Sequence, residues 1–533
     1  MDIGTISLLL LVAMLVLLAI GMPLGFASAV LAVFVLVLKF GPDVLFRDFG
    51  SGPLNILSQR IYGLLTDYVL ISIPLFIFMA SLLERSGIAK DMYSSLNVWL
   101  NHTRGGIAIV TSLMAVVMAA MSGIIGGEVV LLGLIALPQM LRLGYNQDLA
   151  IGTICASGSL GTMIPPSIVL IIYGLITETS IKALFSAAFV PGFILAGCII
   201  LYIIVRTQMN PELAPLPEPQ PGDPTPREKS LFFAGFLCVL LVGFAGALFL
   251  RTLFFTLTGQ NAFVEGVDPI TYGTADYLPW FGGAVLVGLA LIFFAIGRER
   301  TRTGWDMGKG LVAPIVVIGV VLGSIYGGIT GITEAAGMGV IAVFVISVLR
   351  GEASVELVWD SLLRTLKSTG TIIWVTIGAT ALAGAYTIAG GPTYVANLII
   401  GADLPTLGIL MVMMLIFLFM GAFMDWVGIV LLVMPVFLPI VLKLPVEEIG
   451  VFGPMVDATT FVPIWFGILF CVNMQVSFLS PPFGPAAFYL KSVAPPHITL
   501  PEIFRGFLPF ICIQLFVLML VLFFPEITMF FRV

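Results

Sequence analysis

Uncharged or nearly uncharged apolar runs follow one another along almost the whole chain. They fall at about 5–20, 22–38, 67–84, 107–141, 148–175, 184–205, 231–250 and 280–297, then at 312–329, 331–349, 368–389, 406–442, 461–490 and 507–531. A helix needs roughly 20 apolar residues to cross the hydrocarbon of a bilayer. So many runs of that length cannot be hidden in the core of a water-soluble fold. Only 10 % of the residues are charged, against about 25 % in soluble domains, so too little polar surface is left to face water. Hydrocarbon offers no hydrogen bonds, and spanning segments of this kind must satisfy their backbone as helices. The fold class expected is all-α and integral to the membrane. The first run, 3–38, lacks a basic start and is too long for a cleavable leader, so it is read as retained transmembrane structure.

Charge orients the bundle. The segment 298–309 carries Arg298, Arg300, Arg302 and Lys309, and the segment 350–367 carries Arg350, Arg364 and Lys367. Read as loops, both are cytoplasmic by the positive-inside rule. The loop 253–277 has no Lys or Arg and carries Glu265, Asp268 and Asp276, which places it outside. Counting from these anchors gives about 12 transmembrane helices with both termini outside. The count closes only if 107–141 and 406–442, each about two helix legs long with a Gly-rich or acidic break, are re-entrant hairpins. A net charge of −6 without a basic block gives no reason to expect nucleic acid. Five scattered cysteines form no CxxC pair, and two histidines exclude a His-based metal site or triad.

The halves of the chain resemble each other. Val30-Leu-Ala-Val-Phe-Val35 returns as Val340-Ile-Ala-Val-Phe-Val345, and Gly21 and Gly41 keep their offset at Gly331 and Gly351. Glu128 lies ten residues before Pro138, and Asp425 ten before Pro435. Each half then has a double proline in an apolar run, Pro165-Pro166-Ser167 and Ser480-Pro481-Pro482-Phe-Gly484. The spacing differs only by an extra stretch near 446–460. The topology makes the two halves inverted repeats: 1–207, with a cytoplasmic-side hairpin, and 311–533, with a hairpin entering from outside. Between them, 208–310 reads as an insert, a Pro-rich linker and two further helices. Matched interruptions in inverted halves point to a transporter's binding site.

The chemistry of those interruptions fits ions. Paired prolines remove backbone donors and free upstream carbonyls, which with Ser157, Ser159, Thr162, Ser477 and Ser480 form a set of hard oxygen ligands for Na⁺. Half-helix N-termini at the same breaks present N–H groups and positive dipole ends to a carboxylate. The tips, Ser122-Gly-Ile-Ile-Gly126-Gly127-Glu128 and Gly421-Ala-Phe-Met-Asp425, have the glycines that tight reversals require. Glu128 and Asp425 each have two readings, an intramembrane functional carboxylate or a cap on a wet half-helix end. Glu334 reads as a cap beside Thr333. No Lys or Arg sits centrally in an apolar run, so a substrate's carboxylate is expected to be neutralised by cations, dipoles and hydroxyls. Walker A, HExxH and GxSxG patterns are all absent from the sequence, which argues against ATP hydrolysis and against an intramembrane enzyme.

Taken together, Gly21-Met-Pro-Leu-Gly25, Ile73-Pro74-Leu-Phe, Gly158 to Ser167, Phe185 to Gly192, Thr333-Glu-Ala, Phe423-Met-Asp-Trp, Asn473 to Gly484 and Phe488-Tyr-Leu-Lys491 resemble the large membrane subunit of TRAP (tripartite ATP-independent periplasmic) transporters. The wording of the C-terminal part is most similar to the branch labelled mannitol/chloroaromatic, a label that names no substrate. The resemblance implies a multi-pass protein of the bacterial inner membrane, Na⁺-driven import of small organic acids, and an elevator-type moving body. It implies no cofactor beyond Na⁺ as coupling ion. Two partners are implied, a small four-helix membrane subunit and a periplasmic substrate-binding protein. Ion sites carried over by position comprise Ser122, Gly123, Gly126 and Gly127 with Gly158, Gly161, Thr162 and Pro165, and Gly421 and Asp425 with Gln475, Ser477, Ser480 and Pro481. Substrate contacts are expected from Glu128, Ser159, Pro166, Ser167, Pro482 and Gly484. The first tip is less Ser-rich than the family's, so ligation there is expected from the backbone. The rivals are a stand-alone divalent-anion/sodium symporter, an intramembrane enzyme and a purely structural subunit.

Overall fold

Several helix starts are written into the sequence as capping side chains. Asn146, Ser167, Ser180 and Ser354 each accept a hydrogen bond from a backbone N–H in the first turn that follows, and Thr225 with Glu228 and Thr499 with Glu502 form reciprocal capping boxes. The computed structural model describes residues 2–46, 52–123, 126–217, 224–259, 275–401, 404–422, 424–445, 458–482 and 484–530, and among these every regular element is helical. The first half contains α1 (Ile3–Ala19), α2 (Leu24–Phe40), α3 (Asp43–Phe46), α4 (Pro53–Leu65), α5 (Ser72–Arg85), α6 (Ile88–Leu100), α7 (Gly106–Ser122), α8 (Gly127–Arg142), α9 (Gln147–Gly158), α10 (Ile168–Thr177) and α11 (Ile181–Met209). Then come α12 (Pro226–Leu257), α13 (Leu278–Ala290) and α14 (Arg298–Gly308). The second half contains α15 (Val312–Tyr326), α16 (Ile332–Leu349), α17 (Val355–Ile388), α18 (Gly391–Ile400), α19 (Thr406–Gly421), α20 (Trp426–Val441), α21 (Ala458–Leu479), α22 (Pro485–Lys491) and α23 (Leu500–Phe523).

Nine helical segments among the described residues are long and apolar enough to cross a membrane unaided. The shorter apolar α1 and α2, and the broken pair α9–α10, bring the spans to twelve. The pairs α7–α8 and α19–α20 are the two hairpins. Pairing between the halves is reciprocal: α2 of the first packs on α17 of the second, and α16 of the second on α5 of the first. Likewise α9 packs on α23 and α21 on α11, while α8 meets α22 and α20 meets α10. In the insert, α12 packs with α13 and α14, and α14 touches α6.

Ion pairs collect the basic segments at one end of the bundle. There Arg85 meets Asp360 at 2.7 Å, Arg364 meets Glu84 at 2.5 Å, and Arg350 meets Asp91 at 2.5 Å and Glu352 at 2.8 Å. The hydrogen bonds from Arg350 to Glu352 and Asp91 hold its guanidinium above its ordinary pKa. Gly310 N donates to Ser95 at 3.2 Å beside the same cluster. The opposite end carries Tyr68 donating to Glu334 at 3.0 Å and Ser7 bonded to Tyr386 at 2.8 Å. Glu334 therefore sits in the first turn of α16 and ties it to the start of α5 through Tyr68; the expectation that it caps this helix is not met, since among the described residues no side chain caps its N-terminus.

Two expectations need correction. Most of 298–309 and of 350–367 is helix rather than loop, as α14 and the first turns of α17. Their charges hid them from a hydropathy reading, because both stretches lie at the polar end of the bundle. The amphipathic α4 and α6 were also not read as helices, because their polar residues interrupt the apolar runs. Glu265 and Asp268 of the 253–277 loop and most of the 446–460 stretch lie outside the described residues.

The α2–α17 contact is backbone on backbone. A Cβ on Gly378 would collide with the carbonyl of Gly25, whereas one on Gly319 would meet nothing within 4 Å. Overpacking of this kind costs about 1–3 kcal/mol. Gly378→Leu is expected to lower the melting temperature of the detergent-solubilised protein, with Gly319→Ala unchanged, as measured by scanning fluorimetry.

Candidate functional site

The first hairpin turns at Gly123 and Gly126, whose φ angles of +60° and +99° favour glycine. The residues between them, Ile124 and Ile125, lie outside the described residues. Gly123 sits against the carbonyl of Pro166 and accepts a hydrogen bond from Ile168 N at 3.5 Å, so the tip rests directly on the first break. That break is a 3₁₀ turn, Ser159–Thr162, followed by Pro165–Pro166 and by Ser167, whose hydroxyl donates to the Thr162 carbonyl and caps α10. Gly158 lets the break approach Val129 of α8.

Glu128 opens α8 and is 1 % exposed. One carboxylate oxygen accepts the Ser122 hydroxyl, and the other is buried with no hydrogen-bond partner among the described residues. A Cβ on Gly161 would lie 3.0 Å from both oxygens, so the backbone of the break runs close past this carboxylate. Ser122, Glu128 and Gly161 thus come together, so Glu128, expected among the substrate contacts, lies beside two residues expected in the ion set.

The two breaks meet at the centre. Ser159 and Gln475 each stand seven residues before the second proline of their pair. Ser159 Oγ donates to Gln475 Oε1 at 2.5 Å, and Gln475 Nε2 donates to Thr162 Oγ1 at 2.6 Å. Gln514 Nε2 of α23 donates to Ser159 Oγ at 3.2 Å. All four side chains are buried. Gln475, grouped by sequence with the second hairpin, therefore belongs to the first break. Gln514 was missed, its only signal being a lone amide in an apolar run.

The second hairpin repeats the plan with different chemistry. Gly421 lies against Ser477 of α21, and a Cβ there would strike the Ser477 hydroxyl. Asn473 Nδ2 donates to the Met414 carbonyl at 2.9 Å, while its Oδ1 is buried without a partner among the described residues. Asp425 caps α20, accepting from Gly428 N at 3.3 Å. Phe423 of this tip lies outside the described residues. Ser480 donates to the Val476 carbonyl, and Gly484 N donates to Ser480 O. Pro481 and Pro482 are exposed, whereas Pro165 and Pro166 are buried.

Between the tips lies a cavity of about 330 Å³, lined by Gly123, Gly421, Asp425 and Ser477 on one side and by Ser368 and Thr371 of α17 on the other. The first residues of α10 and α20 also face it, which turns two helix N-termini toward its contents. A second space of about 220 Å³, holding Gly126 and Gly127, adjoins it across Ile77, Ser368 and Tyr489. Ser368 and Thr371 stand at the start of the run read from residue 368, but nothing in the sequence places them at the site.

Removing one partner from a buried polar network leaves others unpaired at about 1–3 kcal/mol each. Ser159→Ala, which strands Gln475 Oε1 and Gln514 Nε2, is expected to lower the melting temperature measurably, and Gln475→Leu, of similar bulk, to lower it less, since the Ser159 and Thr162 hydroxyls keep carbonyl acceptors.

Residues 11–527 match the family described as "Tripartite ATP-independent periplasmic transporter, DctM component". The C4-dicarboxylate TRAP transporter large permease protein DctM of Pseudomonas aeruginosa is 25 % identical over 496 residues, covering 92 % of this chain and 91 % of that one. The sialic acid TRAP transporter large permease protein SiaM of Vibrio cholerae is 22 % identical, covering 96 % and 94 %. The isethionate TRAP transporter permease protein DctMQ of Oleidesulfovibrio alaskensis is 23 % identical, covering 90 % of this chain and 61 % of that longer one. The relatives are transporters and not enzymes. A match across nearly the whole length, on a bundle of twelve spans and two hairpins, means that the chain belongs to the DctM-component family of tripartite ATP-independent periplasmic transporters.

Proposed function

We propose that the chain is the Na⁺-coupled permease of a three-part importer of small organic acids in a bacterial inner membrane, with its basic end in the cytoplasm. The observation that carries the sodium reading is the second oxygen of Glu128. A buried carboxylate oxygen without a donor is expensive in a membrane interior. A hard cation held by this oxygen, the Ser122 hydroxyl and carbonyls of the Gly158–Pro166 break would relieve it. The pseudo-equivalent set, Asn473 Oδ1, Ser477 and carbonyls near Gly421, offers neutral oxygens for a second ion. The donor type suits Na⁺ and not a thiolate- or imidazole-seeking metal.

The substrate's carboxylate would lie in the cavity between the tips, against the N-termini of α10 and α20. A cation near Glu128 draws the first tip onto its break, which closes one wall of that cavity. The hairpins and broken helices form the moving body of an elevator, sliding against α2, α5, α16 and α17. A small membrane subunit and a periplasmic binding protein complete the system, and the choice among acids rests with the latter. The relatives' names span dicarboxylate, sialic acid, ectoine and isethionate carriers, which supports a cavity that reads a negative group more than a particular skeleton.

Uptake into proteoliposomes carrying this chain and its small partner tests the proposal. Accumulation of a carboxylate is expected only with an inward Na⁺ gradient and the cognate binding protein. Uptake driven by Na⁺ alone would favour the stand-alone symporter, and uptake driven by a pH gradient alone would overturn the sodium assignment. Glu128→Gln is expected to slow Na⁺-driven uptake at least tenfold, on the order of the ~1.4 kcal/mol that one lost charge-assisted ligand represents. Gly421→Leu, which fills the space at Ser477, is expected to abolish uptake while the protein still reaches the membrane.

A further inference from the structure

We infer that Arg364 and Ser81, at the basic end of the transport cavity, form a receiving site for the oxyanion of the substrate on its way into the cytoplasm, with Glu84 as the neighbouring carboxylate that keeps it from being retained. The inference rests on the transport reading above and adds a site to it. Four observations support it.

Arg364 lies in the third turn of α17 and lines the 220 Å³ space beside the first hairpin. It meets Glu84 of α5 through Nη1 at 2.5 Å, and its side chain is 43 % exposed against 10 % for Glu84. Ser81, one helical turn before Glu84, lines the same space; it is 3 % exposed and its hydroxyl has no partner among the described residues. This space and the larger cavity share Ile77, Ser368 and Tyr489 in their walls, so the two are neighbours along the line from the hairpin tips to Arg364.

Chemistry gives that line a direction. A guanidinium pairs with carboxylates and sulfonates through a fork of N–H donors, and Glu84 occupies one branch of that fork. Glu84 engages only Nη1, so an incoming oxyanion can accept from the other branch and from the Ser81 hydroxyl without displacing the mostly buried Glu84, whose loss of its partner would be costly. The Glu84 carboxylate beside the anion repels it, which favours release over retention. Gly127 permits the arrangement: a Cβ there would press on Glu84 and lie 3.0 Å from Arg364 Nη2.

The test is a thermal-shift titration of the full-length protein in detergent with Na⁺ present, using succinate and isethionate as probes. Wild type is expected to be stabilised by at least one of them. Arg364→Gln is expected to weaken the apparent affinity about tenfold, the scale of a lost charge-assisted pair. Arg364→Lys, which keeps the charge and loses the fork, should weaken affinity less than Arg364→Gln, and Glu84→Gln should hold or raise it. A clip that only ties α5 to α17 would weaken with Gln at either position. Parallel losses in Arg364→Gln and Glu84→Gln, an unchanged Arg364→Gln, or a wild type that neither anion shifts would each overturn the site. If those results came with intact Na⁺- and binding-protein-dependent uptake, the receiving site would fall and the transport reading would stand. The expected shifts with no uptake would uphold the site and count against the transport reading alone.

Discussion

A broken helix survives in hydrocarbon only if its freed backbone and polar side chains find partners, and here each break supplies them to the other. The bond between Ser159 and Gln475 joins equivalent positions of two inverted halves, and Thr162 and Gln514 extend it. Everything functional hangs on this junction. It holds the first break in place, gives the Gly123 tip a surface to rest on, and brings Gly161 to the carboxylate of Glu128. Without it, the paired prolines would be defects in two transmembrane helices and not the walls of a cavity.

The halves share a plan but divide the work. In the first, the acid at the tip faces the break and is fully buried. In the second, Asp425 caps its own helix, Ser477 lies against Gly421 at the tip, and Asn473 bonds to the Met414 carbonyl further along the hairpin. The prolines differ likewise, buried in one half and exposed in the other.

The hairpins and breaks were legible because glycines, prolines and acids stand out in apolar runs, and their order repeats. The contents of the cradles were only partly legible. Glu128 was seen from its own charge, whereas Gly161 was named only through the family resemblance, having no side chain to announce it. Gln475 was grouped with the second hairpin by nearness in sequence, while its side chain bonds to the first break, a contact hinted at by its matching offset from the prolines to that of Ser159. Arg364 was read only as a topology anchor. The first turns of α17 are polar because they lie at the basic end, so they read as loop, and the approach of Arg364 to the first hairpin went unseen.

The reciprocal pairing of α2 with α17 and of α16 with α5 bears on how the protein is made. Gly25 emerges from the ribosome long before Gly378, the residue its backbone is shaped to touch. At about 5–20 residues per second, the first half must wait in the bilayer for tens of seconds with the flank of α2 open to lipid. Neither half can reach its final packing alone, so the repeats behave as clasped hands and not as two independently maturing units. A protein assembled this way depends, during synthesis, on whatever shelters α2 until its distant partner arrives.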